Sequence, residues 1–143
     1  MIGLQSRHLD FFTQQINVER RFPDVEVVGV WGEDEPERLP GIAQVLKIPN
    51  ICNTQDQLLS ICDTVFVLPR NGFTHMKYAR IAQACGKGLF VDKPFAVCQE
   101  DADELITYAE KNNLPITGGS TLCHLPEISV IIDKAKAAPL TII

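Results

Sequence analysis

The sequence predicts an α/β fold built around a doubly wound, mostly parallel sheet with a shortened first strand. Short runs rich in β-branched residues alternate along the chain with longer stretches of helical spacing, which is typical of βαβ units. The chain has 143 residues, of which 45% are hydrophobic and 22% are charged. A chain of this size and composition is expected to form one globular domain whose core needs no disulfide or structural metal.

Apolar runs bounded by turn residues predict the strands, and apolar residues at helical spacing predict the helices. The predicted strands are residues 25–31, 50–52, 64–68, 88–92 and 115–118. The predicted helices are residues 8–21, residues 74–85, a helix from about 98 that Asn112 and Asn113 close, and one with Pro126 in its first turn. The last two helices are expected to lie against the sheet through the faces Ala102, Leu105, Ile106 and Ala109, and Ile128, Ile131, Ile132 and Ala135.

The first strand is the unusual element of this pattern. Only residues 1–4 precede the first helix, which is too short for an ordinary central strand. In a doubly wound sheet the first strand lies in the middle and carries the phosphate-binding turn at its end. Two explanations stay open: the strand is a stub, or residues are missing from its start.

Charge and cysteine content exclude several functional classes. Thirteen Lys and Arg against eighteen Asp and Glu give a net charge of −5, and no basic cluster is present, so nucleic acid is not expected as a partner. The five cysteines are odd in number and form no Cys-x-x-Cys, so neither a disulfide framework nor a metal site is expected. No targeting segment and no membrane-spanning run is present, so we expect a cytoplasmic protein without a membrane partner.

The turn after the first strand contains a candidate phosphate-binding site. It reads Gly3-Leu4-Gln5-Ser6-Arg7-His8, with one glycine where a dinucleotide fingerprint has three. Gly3 and Ser6 could bring main-chain N–H groups at the start of a helix to a pyrophosphate. A plain strand-to-helix turn explains the same residues, and the two interpretations stay open.

A dinucleotide site also needs a carboxylate after the second strand, where it binds the hydroxyls of the adenosine ribose. Gly32 stands nearest the expected position, and Glu33, Asp34 and Glu35 follow it. These acids argue against a 2′-phosphate and therefore favour NAD over NADP. A solvated loop is the other explanation for such a run of charge.

Two later turns carry polar residues at the carboxyl end of the predicted sheet, where open α/β sheets bind ligands. After residue 68 comes a segment ending in His75, which either points over the crevice or faces solvent. After residue 91 come Asp92, Lys93 and Pro94. A lysine beside an oxidised nicotinamide becomes a usable proton-transfer group, because the fixed positive charge disfavours its ammonium form. Asp92 is either its partner or a residue of the turn.

Taken in order, these segments resemble the N-terminal domain of the Gfo/Idh/MocA oxidoreductases. Members of that family typically show a Gly-rich first turn, Pro-Asn-x-x-His after the fourth strand, and Gly-Lys followed by Glu-Lys-Pro-x-Ala. Residues 69–75 read PRNGFTH here, residues 86–87 read GK, and residues 92–96 read DKPFA. The resemblance extends from Gly3 to about Pro126, and it implies a Rossmann-like domain that binds NAD or NADP.

The resemblance also implies roles for single residues. The cofactor-binding set it implies is Gly3, Gln5, Ser6, Arg7, Glu33, Pro69, Asn71, Asp92, Lys93 and Pro94. Within that set the turn at residues 3–7 would face the pyrophosphate, and Pro94 would shape the turn beneath the nicotinamide. Lys93 and His75 are the implied catalytic residues, with Lys93 on the reacting hydroxyl. The implied reaction is hydride transfer between nicotinamide C4 and a secondary alcohol of a sugar or polyol.

The same resemblance divides the chain in two. Residues 1–124 would form the dinucleotide-binding domain, and residues 125–143 a crossover helix and the start of an absent substrate domain. The chain would then bind a nicotinamide dinucleotide but turn over little, and would need the second domain for a small polyhydroxylated substrate. Two alternatives remain: a non-catalytic dinucleotide-binding or regulatory protein on the same fold, and a relic that binds nothing. The sequence does not indicate an oligomeric state.

Overall fold

The computed structural model describes residues 1–33, 36–120, 122 and 125–137. Its strands are β1 (Gly29–Val30), β2 (Asn50–Ile51), β3 (Thr64–Val67), β4 (Gly88–Asp92) and β5 (Ile116–Gly119). Its α-helices are α1 (Arg7–Thr13), α2 (Leu39–Val45), α3 (Gln55–Ser60), α4 (His75–Ala84), α5 (Gln99–Asn112) and α6 (Pro126–Ala137). A π-helical segment, Gln14–Val18, continues α1, and two 3₁₀ turns, Pro36–Arg38 and Gly72–Thr74, precede α2 and α4.

The strands are all parallel, and Ile2 joins them into one layer. β1 pairs with β2, while β3 pairs with β4 and β4 with β5. Ile2 makes parallel bridges to Trp31, directly after β1, and to Val67 at the end of β3. The order is therefore β2, β1, the Ile2 segment, β3, β4, β5, which is the order of a doubly wound sheet. The predicted fold class and its shortened first strand are confirmed.

Side chains that alternate along the strands bury both faces of this sheet. Val65 and Val67 belong to a core shared with α3, α4 and α5, which includes Leu58, Ala79 and Leu105. Phe66 and Leu68 point to the opposite core, shared with α1 and α2. The main members of that second core are Leu4, Leu9, Val30, Leu39 and Ala43. Burial on both faces explains why the strands read as continuous apolar runs.

The predicted strands agree with the structure except for the one expected over residues 25–31. β4 has the predicted bounds, β2 and β3 each end one residue earlier than predicted, and β5 is shifted by one residue at both ends. The strand expected over residues 25–31 contains only β1, because the main chain of Val27 bonds to the side chain of Asn17 instead. The Val27 N–H donates to Asn17 Oδ1 (2.8 Å), and Asn17 Nδ2 donates to the Val27 carbonyl (3.0 Å). The helix expected over residues 8–21 becomes π-helical at Gln14 and ends at Val18, and α2 and α3 were not predicted.

The two later helices differ in how they pack. In α5, Leu105 and Ala109 are buried as expected, but Ile106 of the same predicted face is 40% exposed. Asn113 closes the helix in the left-handed conformation. In α6, Ile131 and Ile132 are 60% and 38% exposed, so the expectation that this face lies against the sheet is wrong. Helical spacing predicts that a helix has an apolar face, but not which surface covers it. In the described part of the chain, no helix is long and apolar enough to cross a membrane.

Gly3 is required where the Ile2 segment leaves the sheet. Its φ is +98°, and a Cβ at this position would lie 2.5 Å from the nitrogen of Pro69. We expect Gly3→Ala to lower the free energy of unfolding by about 3 kcal/mol, because it adds backbone strain to a contact with rigid main chain. Urea denaturation measures this loss.

Gly41→Ala is the matched control for that substitution. Gly41 lies inside α2, and a Cβ there would have no atom within 4 Å. We expect this variant to gain about 0.5–1 kcal/mol, since Ala reduces the entropy of the unfolded chain and favours the helix. Equal effects at the two positions would show that the approach of Gly3 to Pro69 does not matter for stability.

Candidate functional site

A crevice lies at the carboxyl ends of the central strands, where the first turn, the segment after β1 and the segment after β3 meet. The cavity has a volume of about 250 Å³. Five of the residues predicted to bind a cofactor line it: Gly3, Gln5, Glu33, Pro69 and Asn71. The carboxyl edge of a parallel sheet, at the point where strand order reverses, is the usual ligand site of an open α/β fold.

The first turn forms one wall of the crevice. The Gly3 N–H donates to the Trp31 carbonyl (3.1 Å), which fixes the turn to the segment after β1. Ser6 is buried and caps α1, its Oγ accepting from the N–H of His8 (3.2 Å). Arg7 is exposed and lines a separate groove on the outside of α1 with Asp10 and Phe11. The structure therefore places Gly3 and Gln5 in the crevice but Arg7 outside it.

Two arginines that the sequence analysis did not select hold this wall. Arg38 Nη1 donates to the Leu4 carbonyl (2.6 Å), and its Nη2 lies 3.7 Å from a carboxylate oxygen of Asp10. Arg70 Nη2 lies 3.4 Å from the Gln5 carbonyl. Both guanidinium groups reach the first turn from loops that follow other strands. They give it the positive charge that an anionic ligand requires.

Glu33 lies at the opposite end of the crevice, held by α4. Its Oε2 accepts hydrogen bonds from Lys77 Nζ and from the Tyr78 hydroxyl, both at 3.1 Å. The hydrogen bond from Lys77 lowers the pKa of the Glu33 carboxyl, and the bond from Tyr78 lowers it further. The bond between Lys77 and Glu33 also raises the pKa of Lys77. Tyr78 in turn packs edge-on against Trp31, with ring centroids 5.7 Å apart. The carboxylate is thus ionised at neutral pH and positioned by its neighbours.

His75 connects the segment after β3 with the turn after β4. Its side chain is fully buried, so the solvent-facing alternative is wrong. Nδ1 lies 2.8 Å from the Pro94 carbonyl oxygen and Nε2 2.7 Å from that of Pro69. A ring with one N–H donates to one of these carbonyls, and a ring with two donates to both. Asn71 shapes the same segment by accepting from the N–H of Phe73 at its Oδ1 (3.1 Å).

The turn after β4 contains the other predicted residues. Asp92 is 4% exposed, and its Oδ2 lies 2.6 Å from Nδ1 of His8 in the first turn of α1. Lys93 is exposed. The proline ring of Pro94 lies against Gly72, where a Cβ would come within 2.5 Å of Pro94 Cγ. The predicted residues therefore form two groups, the crevice and this turn, with His75 between them.

Several residues of the site escaped the sequence analysis because their partners are far away in the chain. His8 is 84 positions from Asp92, and Lys77 is 44 from Glu33. Neither pair has a fixed spacing that a motif could capture. Asp34 and Glu35 of the predicted acidic run, His124 at the predicted domain boundary, and residues 138–143 of the predicted start of a second domain lie outside the described residues.

Comparison with known proteins identifies the family. The Gfo/Idh/MocA family model, described as an oxidoreductase family with an NAD-binding Rossmann fold, matches residues 1–120. The chain belongs to the Gfo/Idh/MocA oxidoreductase family. It therefore contains the NAD-binding domain of that family, as the motifs predicted. A search of curated proteins finds no match.

Solved structures share the fold of this Gfo/Idh/MocA domain. UDP-N-acetylglucosamine 3-dehydrogenase GnnA from Acidithiobacillus ferrooxidans is 25% identical, with a TM-score of 0.73 over 96% of this chain and 43% of that one. KijD10, a 3-ketoreductase from Actinomadura kijaniata solved with TDP-benzene and NADP, is 18% identical, with a TM-score of 0.74 over 95% and 42%. GenD2 from gentamicin A biosynthesis, solved with NAD, is 19% identical, with a TM-score of 0.75 over 94% and 37%. The chain spans less than half the length of each of these proteins.

The buried contacts of His75 lead to a testable prediction. We expect His75→Leu to lower the free energy of unfolding by about 3 kcal/mol, because it removes the ring N–H that donates to one of the buried carbonyls of Pro69 and Pro94, or to both, and puts no donor in its place. His75→Gln should lose about half as much, since its amide can donate to one of the two. Thermal and urea unfolding measure both. Equal losses would show that the ring contributes by packing alone.

Proposed function

We propose that this chain is the cofactor-binding part of an oxidoreductase that transfers a hydride between a nicotinamide dinucleotide and a secondary alcohol of a sugar or polyol. The main observation behind the proposal is the crevice. The turn that begins at Gly3 lies at one end of it, and the ionised carboxylate of Glu33 lies at the other. The relatives support the substrate class: GnnA is named as a dehydrogenase of a nucleotide sugar and KijD10 as a 3-ketoreductase. GenD2 was solved with NAD and KijD10 with NADP.

The residues present fit a dinucleotide. Gly3 lets the first turn approach Pro69 closely, and Arg38 and Arg70 bring positive charge to that turn. In our proposal residues 3–6 and these two arginines hold the pyrophosphate, whereas the side chain of Arg7, also predicted from the sequence, lines the separate groove on the outside of α1. Glu33 accepts the hydroxyls of the adenosine ribose, and Pro69 and Asn71 contact the nicotinamide end.

The turn after β4 would carry the proton chemistry. When bound, the nicotinamide supplies or accepts the hydride. Lys93 Nζ, on an exposed side chain, gives a proton to the substrate oxygen or takes one from it, according to direction. Asp92 keeps that turn in place through its contact with His8. His75, proposed from the sequence as catalytic, acts as a positioning residue through the carbonyls of Pro69 and Pro94.

Binding and turnover should separate in this chain. The cofactor-facing groups are fixed by hydrogen bonds, whereas Lys93 is exposed and is not enclosed with the reacting atoms. Orientation of the alcohol for hydride transfer requires a closed site, and losing it costs orders of magnitude in rate. We therefore expect the 143-residue chain to bind a dinucleotide with little turnover of sugars or polyols.

NADH titration tests the proposal directly. Trp31 is the only tryptophan of the chain and packs on Tyr78, a residue of the crevice wall. Saturable quenching of its emission by NADH is expected, together with reversal by excess ADP-ribose, since the proposed contacts lie mainly in that half of the cofactor. Absence of any saturable change by fluorescence and calorimetry would overturn the proposed function.

Two variants that add the same negative charge at different places test whether the ligand binds in the crevice. Gln5→Glu adds a carboxylate to the wall that would face the pyrophosphate, and we expect it to weaken NADH binding about tenfold. Gln99→Glu makes the same change at the exposed start of α5 and should leave the Kd within about twofold. If Gln5→Glu also leaves the Kd unchanged, the ligand does not bind at this crevice.

A further inference from the structure

The contact between Glu33 and α4 places a cation beside the proposed ribose-binding carboxylate. In the described part of the chain, both side-chain bonds of Glu33 go to Oε2, one from Lys77 and one from Tyr78. Its Oε1 is therefore left for a hydroxyl of a ligand. Lys77 and Glu33 are more than half exposed at their side chains, 55% and 59%, so a ligand reaches both.

A buried aromatic side chain lies beside this cation. Tyr78 is 7% exposed and lines the crevice. The Lys77 ammonium lies 5.0 Å from the centre of the Tyr78 ring, in addition to its bond to Glu33. Tyr78 also packs against Trp31, which bridges to Ile2 in the centre of the sheet. The ammonium thus lies beside a buried residue of the crevice wall as well as beside Glu33.

The Glu33 carboxylate and the Lys77 ammonium suit different forms of the cofactor. The 2′- and 3′-hydroxyls of NAD(H) are neutral donors that suit a carboxylate, whereas the 2′-phosphate of NADP(H) is an anion that a lone carboxylate repels. A lysine in contact with the carboxylate cancels its charge, and its long side chain lets the ammonium move to a phosphate.

Two other cations near the crevice contact the first turn, at its other end. Arg38 donates to the carbonyl of Leu4, and Arg70 lies within 3.4 Å of that of Gln5. Both therefore sit at the first turn, where the pyrophosphate is proposed to bind. Lys77 is the cation that contacts Glu33.

Resting on the proposed function, we propose that Lys77 is a cofactor-specificity residue that gives the site a second mode of ribose recognition. Glu33 accepts the ribose hydroxyls of NAD(H), and Lys77 binds the 2′-phosphate of NADP(H). The site therefore accepts both dinucleotides, and the acidic run after β1 does not by itself make the chain specific for NAD. No bond is made or broken in this step, so the proposal concerns binding alone.

The test compares Kd values for NADH and NADPH by Trp31 fluorescence and by calorimetry. The unmodified chain should bind both within about tenfold of each other. Lys77→Met should weaken NADPH about tenfold or more and NADH less than about threefold, because only NADPH loses a charge-assisted contact. Glu33→Gln should do the reverse, weakening NADH and improving NADPH. Lys111→Met removes the same charge at the exposed end of α5 and should change neither.

The outcomes separate this inference from the proposed function. Binding of neither dinucleotide by the unmodified chain would overturn both. Binding of NADH with an unchanged NADPH to NADH ratio in Lys77→Met would overturn the role of Lys77 alone. A selective loss of NADPH in Arg38→Met, with none in Lys77→Met, would overturn it too and assign the phosphate to Arg38. Thermal unfolding of each variant shows that the exposed substitutions leave the fold intact.

Discussion

The sheet depends on the main-chain hydrogen bonds of one residue, Ile2. Its N–H donates to the Phe66 carbonyl and its carbonyl accepts from Leu68, both at 2.8 Å. On the other side, its neighbours Met1 and Gly3 exchange bonds with Trp31 at 3.0 and 3.1 Å. This short segment joins β1 to β3 and takes the position of the central strand. As a result the first turn, the segment after β1 and the segment after β3 meet at one edge of the sheet. The crevice forms where these three segments meet.

A second contact relates the crevice to the turn that carries Lys93. The buried ring of His75 lies between the carbonyls of Pro69, on the crevice wall, and Pro94, after Lys93. One side chain therefore sets the separation between the proposed cofactor contacts and the proposed proton-transfer group. Because the ring is inaccessible to solvent, it performs this task whether or not a substrate is present. The burial of His75 therefore supports a positioning role, whereas its place in the motif had suggested a catalytic role.

The sequence predicted those features that depend on local patterns. β4 was predicted at its observed bounds because an apolar run there is enclosed by Gly-Lys and Lys-Pro, and Glu33 was found because it follows a strand. The late start of β1, at Gly29 instead of residue 25, was not predictable, since the side chain of Asn17, ten positions away in the sequence, takes the main-chain bonds of Val27. Lys77 was not predictable for the same reason, since it meets Glu33 only once the fold brings α4 beside the segment after β1. Sequence patterns therefore indicated which residue types matter but not which distant side chains hold them.

In the proposed function, the division between fixed and exposed groups would let this domain bind a dinucleotide with little turnover. Asn71 and Glu33 are each held by hydrogen bonds made before any ligand arrives. Preorganised groups lose little entropy on binding, so affinity for the cofactor is built into the domain. Lys93 is exposed, and a proton-transfer group gains its rate advantage only when the reacting atoms are fixed beside it. We therefore expect cofactor binding and hydride transfer to be separable in this domain, because the groups proposed for binding are already fixed whereas the group proposed for proton transfer is not.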